Sequence, residues 1–70
     1  MKGVIPITNL AKLRKAKGLT QMELASIAGV PRVSIARYET GKVSPNVRVL
    51  ERLANALQVR IDDLVDRKAV

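Results

Sequence analysis

The 70-residue chain has no cysteine, no histidine, no tryptophan and no phenylalanine, and Tyr38 is its single aromatic residue. Without cysteine there is no disulfide and no thiol nucleophile. Without histidine there is no imidazole general base, and an ordinary zinc site lacks both of its usual ligands. The lack of cysteine fits a reducing cytoplasm, the expected location. No apolar run approaches the roughly 20 residues a membrane-spanning helix needs. The start, Met1 to Ile7, begins like a signal peptide, but its apolar stretch is far too short and Pro6 interrupts it. With one aromatic ring, the core has to come from Leu, Ile, Val and Ala. The apolar share of 47% is ordinary for a globular chain. Seventy residues make one small domain with a modest core.

Acidic residues are also scarce, 6 against 13 Lys and Arg, for a net charge of +7. Residues 1–60 hold 11 basic and 3 acidic side chains, whereas residues 61–70 are slightly acidic. A basic body with an acidic end suits a polyanion on one face only. Asp62, Asp63 and Asp66 cluster, yet Asp62 and Asp66 are i, i+4 neighbours beside Arg67 and Lys68. They read as a solvated face near a helix N-terminus, where acids are favourable. No metal, no cofactor and no enzymatic activity are expected.

Helical periodicity dominates. Helix one is expected from about Pro6 or Thr8 to Lys17, with Leu10, Leu13 and Ala16 inward and Gly18 as its stop. Thr20 and Glu23 form the T-x-x-E capping box of helix two, in which each side chain satisfies the other's backbone N–H. Met22, Leu24, Ala25 and Ala28 supply that helix's apolar contacts, and Gly29 is the turn. Helix three starts at about Pro31 and ends near Thr40 before Gly41, with Ile35 and Tyr38 facing the core as does Val30 just before it. Asn46 caps helix four, Val47 to Leu57, whose Leu50, Leu53, Ala54 and Leu57 follow the i, i+3, i+4, i+7 rule. A short last helix covers Ile61 to Val65. The whole chain, 1–70, therefore reads as one all-α domain, with residues 1–5 an N-terminal arm and 66–70 a frayed tail.

Leu19 to Gly41 is two short helices about a tight turn, the second carrying arginines. That is the layout of a helix-turn-helix, which places one helix in the DNA major groove. The blocks L-R-x-x-K-G-L-T-Q (Leu13 to Gln21), L-A-x-x-A-G-V (Leu24 to Val30), S-I-x-R-Y-E-x-G (Ser34 to Gly41) and L-A-x-A-L-x-V (Leu53 to Val59) resemble the phage-repressor and Cro-type, or XRE, helix-turn-helix domains. The resemblance covers about Leu13 to Leu64 and implies a compact five-helix bundle with helices two and three forming the motif.

It also implies roles residue by residue. Gln21 lies against the DNA backbone, where its amide and the helix N-terminus hold a phosphate, and it can brace the first residue of helix three. Arg32, Val33, Ser34 and Arg37 face the bases; an arginine can pair with guanine O6 and N7, and Val33 can pack on a thymine methyl. Lys42, Ser44, Asn46 and Arg48 grip phosphates around the loop before helix four. Arg14 and Glu39 form an ion pair joining helix one to the end of helix three.

Three positions depart from the family pattern. Pro31 stands where Ser or Thr usually caps helix three, Gln58 replaces the glycine after helix four, and Arg60 replaces a Ser or Thr cap. The expected function is a sequence-specific regulator of transcription, most simply a repressor, on double-stranded DNA with an inverted-repeat operator bound by a homodimer. The alternative is an interaction module, such as an antitoxin or adaptor, using helix four or the acidic end.

Overall fold

A computed structural model describes residues 9–65 and holds five helices: α1 (Leu10–Ala16), α2 (Gln21–Ala28), α3 (Arg32–Thr40), α4 (Val47–Leu57) and α5 (Ile61–Leu64). The expected arm (1–5), tail (66–70) and the helix start at Pro6 or Thr8 lie outside the described residues.

Each helix ends where local chemistry can satisfy its terminal backbone groups. Gly18, at φ +74°, closes α1: its N–H donates to the Lys15 carbonyl and that of Leu19 to the Arg14 carbonyl. This paired pattern terminates a helix by bonding its last free carbonyls. Gly41 closes α3 in the same way, through Tyr38 and Arg37. The capping box of α2 is formed in both directions: Thr20 Oγ1 accepts from the Glu23 N–H at 3.0 Å, and Glu23 Oε1 accepts from the Thr20 N–H at 2.9 Å.

The three departures have physical outcomes. Pro31 sits at the N-cap of α3 in an extended conformation (φ −59°, ψ 142°), so the helix begins at Arg32. The proline offers no side-chain acceptor, but its carbonyl takes the Ser34 and Ile35 N–H groups. Gln58 adopts the left-handed conformation (φ 58°) that glycine would take more easily, and α4 ends on schedule. At α5 the Arg60 N–H donates to Asp63 Oδ2 at 3.0 Å, so a carboxylate inside the helix does half the work of a cap. Val65, expected in this helix, is extended.

Leu10, Leu24, Ile35, Leu53, Leu57 and Leu64 are fully buried, each helix giving at least one leucine or isoleucine to a shared core. Tyr38, Leu13 and Leu50 pack at its edge. Two expected core residues face outward: Met22 is 65% exposed, and Ala16 is exposed too. The buried face of α2 is set by Leu24, Ala25 and Ala28. Met22 is about 200° around the helix from Leu24 at 100° per residue. The small buried side chains of Ala25 and Ala28 suit close packing of α2 on α3 and α4.

Candidate nucleic-acid interface

The second motif helix is held from behind by a polar cluster. Arg14 Nε donates to Glu39 Oε2 at 2.6 Å and Arg14 Nη2 donates to Glu39 Oε1 at 3.2 Å. Arg14 Nη1 donates to the Leu19 carbonyl at 2.8 Å, and Gln21 Nε2 donates to Glu39 Oε1 at 2.9 Å. One carboxylate on the last turn of α3 thus joins α1 and the first residue of α2, while Arg14 itself holds the loop between them. Burial pushes the Glu39 carboxyl upward, but hydrogen bonds from Arg14 and Gln21 and the charges of Arg14 and Lys15 outweigh it and hold it below the ordinary 4.5. The same Arg14–Glu39 hydrogen bond raises the guanidinium further, against the cost of burial.

The ion pair is therefore formed as expected, and the brace that Gln21 could make to α3 falls on a different residue. The Gln21 amide nitrogen does not brace the first residue of α3 but joins Glu39 on the last turn. A charged, nearly buried carboxylate is a stronger acceptor than a neutral exposed group. The Glu39 side chain is only 9% exposed.

The opposite face of α3 is open. Arg32, Val33 and Arg37 are exposed, and Ser34 is half-buried. Arg32 and Val33 occupy the first turn, with Arg37 one turn beyond Val33. Lys42, Ser44, Asn46 and Arg48 are all exposed on the following loop and the start of α4. Asn46 is also a structural cap, its Oδ1 accepting from the Val49 N–H at 2.9 Å. Between α3 and this loop runs an open groove of about 430 Å³. Arg32, Val33, Ala36, Arg37 and Thr40 form one wall, and Lys42 and Val43 the other. Three cations and no carboxylate line it, because Glu39 is turned away and neutralised by Arg14. The structure therefore brings Arg32, Val33, Arg37 and Lys42 to one groove, while Gln21 lies with the Arg14–Glu39 pair behind it.

Sequence reading missed one further contact. Arg52 on α4 donates from Nη1 to the carbonyl of Gly29, in the turn between the motif helices, at 3.3 Å. Nothing local in sequence signals a bond across 23 positions. Among the described residues no group of His, Cys, Asp and Glu could hold a metal, and no helix is long and apolar enough to cross a membrane. Asp66 of the expected acidic cluster lies outside the described residues.

Two helices hinged at a left-handed glycine, the second with an open basic face and a braced back, define a helix-turn-helix domain of the DNA-binding kind. The helix-turn-helix family model HTH_3 matches residues 10–64, and the chain belongs to this XRE/Cro-type family. It is 38% identical over 56 residues to the SPbeta prophage-derived uncharacterized HTH-type transcriptional regulator YonR of Bacillus subtilis, covering 80% of this chain and 52% of that protein. It is 38% identical over 60 residues to the cryptic phage CTXphi transcriptional repressor RstR of Vibrio cholerae, covering 86% of this chain and 54% of the repressor. The chain thus spans about half the length of these two relatives. Among solved structures it resembles the restriction-modification controller protein C.AhdI from Aeromonas hydrophila, with a TM-score of 0.78 and 33% identity over 81% of this chain and 86% of that one.

Proposed function

We propose that this chain is a sequence-specific, double-stranded-DNA-binding regulator of transcription that acts in the cytoplasm, most simply as a repressor. The observation that carries the reading is the groove beside α3, rimmed by Arg32, Arg37 and Lys42, with no carboxylate in its lining because Glu39 is paired with Arg14 behind it. Arg32 and Arg37 are the base readers, each able to make the two-point contact to guanine O6 and N7. Val33 and Ser34 supply apolar and hydroxyl contacts beside them. Lys42, Ser44, Asn46 and Arg48 hold phosphates, and beside Gln21 the N–H groups at the start of α2 hold another. Two copies on an inverted repeat, half-sites about 34–36 Å apart, match the usual geometry of this motif.

Selection of bound sites from random DNA duplexes, followed by gel-shift stoichiometry, tests the proposal. A palindromic motif bound by two protomers is the expected result. Enrichment of an asymmetric motif at one protomer per duplex removes the dimer but leaves sequence-specific binding. Recovery of no motif, with affinity indifferent to sequence and salt, overturns the reading in favour of a protein-interaction module.

A further inference from the structure

The groove beside α3 is not only basic. Arg32, Arg37 and Lys42 rim an apolar strip made by Val33, Ala36 and Val43. Val33 is 57% exposed and Val43 42% exposed, so this apolar surface faces outward and is not a fringe of the core. Ala36 lies on the helix face with Arg32 and Val33 one turn before it and Thr40 one turn after, and it lines the groove together with Val43 of the opposite wall. Its single methyl group is the smallest side chain in the groove lining and leaves a depression among longer neighbours. Three cations around such a strip fit a partner that is anionic at its rim and carries a small apolar group at its centre. On the floor of the DNA major groove, the thymine 5-methyl is the one apolar base-edge group.

We propose that Ala36 is a specificity-determining residue: the depression over it, between Val33 and Val43, seats one thymine 5-methyl per half-site. The proposal rests on the DNA-binding reading above and sharpens it. Arg32 and Arg37 on either side then read hydrogen-bonding edges, while Ala36 reads a shape. A methyl group seated there leaves water, and its removal weakens binding about fourfold, the ratio expected for one buried methyl-sized group. A long side chain at position 36 fills the depression and removes this preference.

The test uses the duplex recovered by site selection, with each thymine replaced in turn by uracil, which lacks only the methyl group. The parent protein is expected to lose about fourfold in affinity at one position per half-site and to change little elsewhere. Ala36→Met is expected to bind the thymine and uracil duplexes at that position equally. A second measurement needs no variant: in the parent complex, the Ala36 methyl protons should show a nuclear Overhauser contact to that thymine's methyl. Selection of a clear motif with no uracil-sensitive thymine overturns the proposal and leaves the regulator reading intact. So does a uracil effect that persists undiminished in Ala36→Met, or an Ala36 methyl in contact only with sugar protons. Failure to select any motif overturns the regulator reading and this proposal with it.

Discussion

Gln58 holds φ at +58°, a conformation in which a side chain's Cβ crowds the backbone. Glycine escapes that strain, so Gln58→Gly is expected to stabilise the domain by about 0.5–1 kcal/mol after the extra unfolded-state entropy of glycine is counted. The melting temperature should rise by a few degrees in a domain of this size; an unchanged or lower value would show that the Gln58 side chain makes compensating contacts. Glu39 supplies a second residue-scale expectation. Its carboxyl is held below 4.5 in the folded protein, so the folded state binds fewer protons than the unfolded one in that range. The stabilisation is complete above the ordinary carboxyl value and is lost as pH falls through the lower folded value. Arg14 stays charged throughout and adds no pH dependence there. Thermal melts between pH 3 and 7 should therefore show a fall below about 4.5 that is flattened in Glu39→Gln, which is less stable than the parent at neutral pH. The Arg14–Glu39 pair was legible in the family pattern. Gln21's share in it was not, because a neutral amide goes to whichever acceptor the fold brings within reach.

At the scale of elements, the helices owe their limits to short sequence signals and their orientation to contacts from elsewhere. Thr20 and Asn46 each accept a backbone N–H at the start of their helix. Replacing either with Ala should cost about 1 kcal/mol in urea unfolding. For Asn46 the loss should also weaken DNA binding beyond the stability effect, if its loop grips phosphate. Arg52 acts at the junction of elements. Its bond to the Gly29 carbonyl ties α4 to the turn that sets the angle between α2 and α3. Because the guanidinium is exposed, Arg52→Ala should lower global stability by only about 0.5–1 kcal/mol. Amide exchange around Gly29 to Arg32 should quicken more than exchange in the core helices; uniform acceleration would show that the bond does not act on the turn. Helix positions and caps were readable because they depend on neighbours within four residues. The outward turn of Met22 was not, because a helix containing Leu24, Ala25 and Ala28 has one buried face and no local rule says how wide it is.

For the whole molecule the deciding property is where the charge lies. The overall +7 does not by itself distinguish a DNA-binding face from a merely soluble surface. Folding pairs Arg14 internally and places Arg32, Arg37 and Lys42 around one groove. Lys42→Ala should weaken binding to all sequences alike and reduce the salt slope of log affinity by about one, as for a single phosphate contact. Arg32→Ala should instead cost about 1–3 kcal/mol on the selected site and relax specificity at one base pair. Affinity titrations on specific and random duplexes between about 50 and 200 mM salt, read as the slope of log affinity against log salt, distinguish the two. If both variants change the slope and neither changes the preference, the division into readers and clamps is wrong. The sequence by itself determined the helices, their stops, the aliphatic core and the family, because periodicity, capping and a small set of turn glycines are local properties. Only the tertiary structure decided which polar side chains are consumed internally, where Arg52 and Gln21 find their acceptors, and that three cations share a groove around Ala36. Those outcomes depend on distances between residues far apart in the chain, which close only when the core does.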